Sequence, residues 1–314
     1  MLIIIKHFIL SLSTALNLSN SSNKVTFFNI FNIRFFYSFI NIRNFLNPAK
    51  IDANNFIISN NFFQNKIRSS KIVYDLDNFG FNNILKLKNT ILKLLKNEIT
   101  LDNSKIEFKG EKKTKKFIQS LKKKDNIDII LTKSKKIISH VVLNINISRT
   151  NYIKKLATSD FFLDIAKKYI NTNNISIAAQ CFISNPVKIS ELEKKNNAQY
   201  FHYDNDFKKF FKVFIYLNKV DKYSGPHSFV KSTNKKRKLK HIIAERINDS
   251  EIRKDYGSKN VKVFNGNAGS VIIEDTFGLH KGSFPQKKSR LVLILVYGSG
   301  LGIEIYKNPL IKKL

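Results

Sequence analysis

The chain has 314 residues, of which 43% are hydrophobic and 12% aromatic, with 27 Phe, 11 Tyr and no Trp. That content allows one large domain or two modest ones around a buried core and excludes a disordered chain. The formal net charge of +32 comes from 55 basic and 23 acidic residues; the basic residues are mostly scattered Lys and no nucleic-acid module is visible, so nucleic-acid binding is not expected as the primary role, whereas an anionic substrate is supported.

Residues 1–70 read as an N-terminal extension. The run from Met1 to Leu10 is apolar but interrupted by Lys6 and His7, and is too short and broken to span a membrane. The first acidic residue is Asp52, so the first fifty positions resemble a transit peptide in composition; a simple extension in a compositionally biased sequence is the preferred reading. Residues 71–150 read as a helical and mixed part packing on the core. They open with a strand-like Ile72-Val73-Tyr74. A run follows in which Ile84, Leu85, Leu87, Ile91, Leu92, Leu94 and Leu95 recur at helical spacing. Residues 111–136 are Lys-dense and read as a solvated helix face and loop.

Residues 151–308 read as the core. The pattern predicts a helix over 151–170, with Thr158, Ser159 or Asp160 capping its main part and Phe161, Phe162, Ile165, Ala166 and Ile170 on its apolar face. A strand is expected over 175–182. It carries Cys181, the only cysteine; no internal disulfide can form, and a reducing, cytoplasmic location is expected. Strands are expected over 199–204, 210–217, 261–264, 270–275 and 290–297, punctuated by Gly225-Pro226, Asn265-Gly266, Ala268-Gly269 and Gly282. Short strands after a helical part predict an α+β, mainly β fold: a double-stranded β-helix (a cupin-like jelly roll) with N-terminal helices packed outside.

The chemistry concentrates in the last third. His202 and Asp204 are two residues apart on an extended segment, so their side chains share one face. His280, from a distant strand, would complete a face of two imidazoles and one carboxylate, the cage of non-haem Fe(II) oxygenases, although zinc accepts the same ligands. Arg290, ten residues beyond His280, suits a carboxylate held near the metal. His-x-Asp alone is a weak signal. Its context strengthens it: a strand and a Gly-Pro turn follow, His280 comes after a strand and a turn, and Arg290 begins the next strand. Asp206 is the rival carboxylate, but on an extended segment it would lie about 13 Å from His202 against about 7 Å for Asp204. His227, in the Gly-Pro turn, and His241, in a Lys-rich segment, are rival distal ligands read more simply as surface histidines.

Over roughly 151–300 these residues resemble the phytanoyl-CoA dioxygenase family. The resemblance rests on Phe201-His202-Tyr203-Asp204, on Phe214-Ile215-Tyr216-Leu217-Asn218, and on the turn Gly225-Pro226 with the loop through Lys235. It continues through Gly266-Asn267-Ala268-Gly269-Ser270, Asp275-Thr276-Phe277-Gly278-Leu279-His280-Lys281-Gly282 and Arg290. It implies His202, Asp204 and His280 as catalytic iron ligands, with Fe(II), 2-oxoglutarate and O2 as cofactor and co-substrates. Arg290 would pair the far carboxylate of 2-oxoglutarate, with Tyr216, Ser283 and Gln180 (or Asn185) near it. An acid at 204, where halogenating relatives carry a small residue, implies hydroxylation. Lys231-Ser232-Thr233-Asn234 departs from the Gly-Ser-His of many members and bears on substrate contacts rather than on iron.

The competing readings are a non-catalytic protein of the same fold, a basic nucleic-acid or anionic-surface binder, and a metal-dependent isomerase or hydrolase on a cupin-like barrel. Succinate release from 2-oxoglutarate separates the first reading from all three. The expected partner is a small-molecule substrate, with coenzyme A thioesters, small metabolites, lipids and sugar precursors all open.

Overall fold

The structure, a computed structural model, describes residues 140–299 except 173, 188–189, 197, 205, 207–208 and 245. It also describes Val73–Asp75, Ile84–Leu94, Ile99–Leu101, Ile106–Phe108, Ile127–Asp128, Tyr306 and 309–313. The expected extension over 1–70 lies outside the described residues, as does most of the Lys-dense stretch. The chain divides into two compact units. The larger spans 55–234 and 246–314 and holds every strand named below. The smaller includes 235–245, where the short helix Leu239–Ile243 lies.

Thirteen strands are described: β1 Val73–Asp75, β2 Ile99–Leu101, β3 Ile106–Phe108, β4 Ile127–Asp128, β5 His140–Ile145, β6 Asn174–Ser184, β7 Phe210–Tyr216, β8 His227–Val230, β9 Val261–Phe264, β10 Ser270–Glu274, β11 His280–Gly282, β12 Arg290–Ser299 and β13 Leu310–Lys313. Every pairing among them is antiparallel. The main sheet has eight strands in the order β1-β10-β7-β12-β6-β5-β4, with β13 also on β6; a second sheet is β11-β8-β9, and β2-β3 form a hairpin. A mixed protein with antiparallel sheets of this kind is consistent with the expected jelly roll. The main sheet takes strands from both sides of the expected core boundaries, since β1, β4 and β5 precede residue 151 and β13 follows residue 308.

Period-two alternation divides the main sheet into two chemistries. The odd-numbered residues Leu291, Leu293, Leu295 and Tyr297 of β12, with Phe211, Val213 and Ile215 of β7 and Ile177, Ala179, Cys181 and Ile183 of β6, form one core. Helices cover that face: Leu87 and Ile91 come from Ile84–Leu94, Ile153 and Leu156 from Asn151–Ala157, and Phe162, Ile165 and Ile170 from Asp160–Ile170. The Tyr297 ring stacks on Phe211 at 4.8 Å, and its hydroxyl donates to the Ala157 carbonyl at 2.7 Å. Cys181 lies wholly in this layer, where burial pushes its thiol up to about 12.

The expected helix over 151–170 is two helices that break at Thr158-Ser159. Ser159 takes the extended N-cap position, Asp160 places its charge in the first turn, and Asn171 closes the second helix in the left-handed conformation at φ 54°.

The even-numbered face of the main sheet looks at the second sheet. Phe214, Ile272, Val292, Ile294 and Val296 pack there with Phe229 of β8 and Phe264 of β9. Polar residues share this face. Lys212 sits between Glu274 of β10 and Val296 of β12, while Arg290 is opposite Ser184, itself opposite His140.

Asp275, just past β10, is buried and accepts hydrogen bonds from Tyr169 Oη (3.2 Å), Asn234 Nδ2 (3.2 Å) and the Phe277 amide (3.0 Å). Burial nevertheless lifts its pKa from 3.8 to about 6. Between those values the folded chain keeps a proton that the unfolded chain has released, so this group's contribution is complete below the unfolded pKa and lost as pH rises through about 6. Wild type should therefore lose about 2 kcal/mol of stability relative to Asp275→Asn between pH 4 and pH 7. Denaturant unfolding of both proteins at the two pH values measures this; a gap independent of pH would refute it.

Candidate metal centre

The His-x-Asp segment is not a long strand, as expected over 199–204, but is stitched to its neighbours at two points. Phe201 exchanges backbone hydrogen bonds with Ile247 (2.9 and 2.8 Å), and His202 exchanges them with His280 (3.0 and 2.8 Å). The Asp204 amide then donates to the Thr276 carbonyl at 2.8 Å. β11 carries His280 and pairs with β8, so the second sheet delivers this imidazole beside the first.

His202, Asp204 and His280 converge. One ligand atom from each lies within 4.8 Å of the others, a group that could hold a metal ion. Asp204 Oδ1 is 3.8 Å from His202 Nε2, Asp204 Oδ2 is 3.3 Å from His280 Nε2, and the two imidazole centroids are 4.4 Å apart. In each histidine the far nitrogen is tied to main chain: His202 Nδ1 donates to the Tyr200 carbonyl and His280 Nδ1 to the Gly278 carbonyl, both at 2.9 Å. A carbonyl only accepts, so each Nδ1 carries a proton and Nε2 is the atom presented to Asp204. This is the outer-partner arrangement of metal-binding histidines.

The electrostatics fit a cation. Burial, with the neighbouring His280, holds His202 well below the usual imidazole range. At His280 burial acts in the same direction, but Asp204 outweighs it and raises the pKa. At Asp204 burial opposes the charge, yet Lys212 and the two histidines outweigh it and hold the carboxyl well below its ordinary value. The carboxylate is thus charged, and a metal at this site would need His280 Nε2 free of its proton.

Arg290 is buried. It donates through Nη1 to the Gly225 carbonyl and through Nη2 to Ser184 Oγ at 3.4 Å, and its Nε has no partner. Among the described residues no acid is paired with it. Two glycines make its seat. A Cβ at Gly282 would lie 2.5 Å from Nη2, and Gly225 combines φ +72° with main chain 2.3 Å from where its Cβ would be. Ser184 is itself 2.9 Å from His140 Nδ1; burial, with Arg290 nearby, pushes His140 down to about 3 and keeps it neutral.

The other expected residues are placed as follows. Tyr216 is fully buried, and its hydroxyl donates to the Phe264 carbonyl (2.8 Å) and accepts from the His227 amide (3.1 Å), which makes it a strut between the sheets. Gln180 donates to Asn144 Oδ1 at 2.7 Å on the even-numbered face. Ser283 is 3.4 Å from Ser228 Oγ, in the turn after β11, and Asn185 accepts from Ser289 at 2.7 Å. His227 and His241 were expected at the surface, and both are buried. His227 Nε2 lies 2.8 Å from Glu274 Oε2, and its ring is 4.4 Å from Phe214 and 5.7 Å from His280. It therefore stands next to the histidine–carboxylate group with its own acid.

Lys212, Glu274, Ser184 and His140 are the site residues that sequence reasoning missed. Only His140 had a visible signal: it is one of six histidines. Asp206, the rival carboxylate, is engaged elsewhere, by Lys212 Nζ at 2.7 Å and Tyr306 Oη at 2.5 Å.

No protein-family model and no curated protein matches the chain. Among solved structures it is similar to EctD from S. alaskensis with bound Fe, at 14% identity over 72% of this chain and 71% of that one, with a TM-score of 0.44. The same protein with 2-oxoglutarate and 5-hydroxyectoine matches at 14% identity over 72% and 70%, with a TM-score of 0.46. HygX from Streptomyces hygroscopicus, with nickel and 2-oxoglutarate bound, matches at 13% identity over 62% and 80%, with a TM-score of 0.37. Among the described residues no helix is long and apolar enough to cross a membrane.

Proposed function

We propose that the protein is an Fe(II)- and 2-oxoglutarate-dependent dioxygenase that hydroxylates a small-molecule or lipid-like substrate, on a double-stranded β-helix of the phytanoyl-CoA dioxygenase type. The observation that carries this reading is the convergence of two Nε2 atoms and one carboxylate, with each Nδ1 tied to a backbone carbonyl. His202, Asp204 and His280 would hold the iron. Three protein ligands on one face leave positions for a chelating co-substrate and dioxygen, which a closed four-ligand zinc site does not. When bound, the iron and its co-substrate would supply the oxidising chemistry: 2-oxoglutarate loses CO2 and becomes succinate with one oxygen atom of O2, and the other enters a substrate C–H bond as a hydroxyl.

The chain's own residues have three tasks. The imidazoles would present neutral nitrogen to the metal, and Asp204 would supply the charge. Arg290, buried without an acid, has a net positive charge to offer the far carboxylate of 2-oxoglutarate. Phe214, Ile272, Val292 and Ile294 make an apolar wall on the same face of the sheet, which keeps water away.

Anaerobic addition of Fe(II) and then 2-oxoglutarate should give one metal and one co-substrate per chain, and admitting O2 with candidate substrates should release succinate. A protein that binds metal but never forms succinate, alone or across the screen, would leave the isomerase or hydrolase reading in its place.

A further inference from the structure

One largely buried cation has no part in that account. Lys212, on β7, is held between two carboxylates with its side chain 12% exposed, Nζ lying 2.8 Å from Asp204 Oδ2 and 2.7 Å from Asp206 Oδ2. Asp206 Oδ2 also accepts from Tyr306 Oη at 2.5 Å, and Nζ lies over the Tyr306 ring at 5.8 Å. Lys212 thus occupies one oxygen of the candidate ligand Asp204 and, with Tyr306, pins the neighbouring acid.

We propose that Lys212 is a positioning residue that limits how much carboxylate reaches the metal. It would keep Asp204 a one-oxygen ligand and Asp206 out of the coordination sphere, so that positions stay open for exchangeable ligands. The inference rests on the metal reading above and adds to it a sign. A lysine that only braces the fold would, on removal, leave the ligand set of the ion unchanged. A lysine that restrains two acids beside a dication would, on removal, tighten binding and add oxygens to that set. Its own positive charge repels the ion, and its grip costs the ion one oxygen of Asp204 and both oxygens of Asp206. Taking it away leaves the pocket one unit more negative and frees these oxygens.

In the full chain, Lys212→Met, similar in length and uncharged, should bind Co2+ and Mn2+ at least about tenfold more tightly than wild type by chelator competition. Its Co(II) ligand-field spectrum should change as carboxylate oxygens are added. Asp206→Asn should move affinity the other way, about tenfold weaker, because Lys212 then bonds Asp204 alone. Unchanged or weaker binding in a folded Lys212→Met protein overturns the proposal. Should that variant fail to fold, unchanged or tighter binding in Asp206→Asn overturns it instead. Failure of the metal reading itself looks different: wild type takes up no metal, or His280→Ala takes it up as well as wild type does.

Discussion

His280→Ala is expected to lower divalent-metal affinity by more than about a hundredfold, beyond the loss typical of an outer-partner mutation, while the fold stays intact. The reason is that two roles of this residue separate cleanly. Its backbone N–H and C=O bridge to His202, and they survive the substitution. Its Nε2, 3.3 Å from Asp204, does not. Two ligands then remain where three converged, and the charge on Asp204 is balanced by Lys212 rather than by an ion. Far-UV circular dichroism should match wild type, chelator competition should show the loss, and succinate formation should fall to background. Undiminished, stoichiometric metal binding in a folded His280→Ala protein would remove the basis for the proposed activity.

The second large effect is at Arg290. Arg290→Met should raise the 2-oxoglutarate KM by about a hundredfold, the scale for losing a charged, hydrogen-bonded partner, with metal affinity unchanged. Stability is the discriminating readout. A guanidinium braced for structural reasons would cost several kcal/mol to remove. Here the buried charge has no acid beside it and its Nε is unpartnered, so removal also relieves an unfavourable burial. A small change in melting temperature with a large change in KM marks a ligand-binding charge. A collapse in melting temperature with KM unchanged in the surviving protein would assign Arg290 to the scaffold.

The candidate ligand group stands out in the sequence because it is made of rare residues. Histidine occurs six times in 314 positions, so a His-x-Asp and a later His stand out, and strand alternation settles their common face. Lysine is the reverse case. Among 55 basic residues, nothing about Lys212 announces that it is enclosed between two acids. Glu274 is as quiet, because its partner His227 lies 47 residues away and only the facing of β8 and β10 joins them.

The helices were legible because one face of each is wet, and the central strands because they are continuous apolar runs bounded by turn residues. The helix Ile84–Leu94 and the apolar stripe of Asp160–Ile170 follow their helical periods. β9 has the expected bounds, and β7, β10 and β12 differ from theirs only at their ends. β5 was missed for a physical reason. Its sequence, HVVLNI, carries polar His140 and Asn144 at buried positions, so it shows neither the alternation of a half-exposed strand nor an unbroken apolar run.

The carbonyls that hold the two imidazoles belong to Tyr200 and Gly278, and what they offer is main chain. Side-chain replacement at Tyr200 leaves that oxygen where it is, whereas a Cβ at Gly278 would lie 2.4 Å from the Phe229 ring. The orientation of the His202 ring is therefore insulated from much ordinary sequence drift, and that of His280 is tied to the absence of a side chain two residues earlier. Homologues can be expected to vary at the first of these positions and to keep glycine at the second, while insertions or deletions at either should be nearly absent.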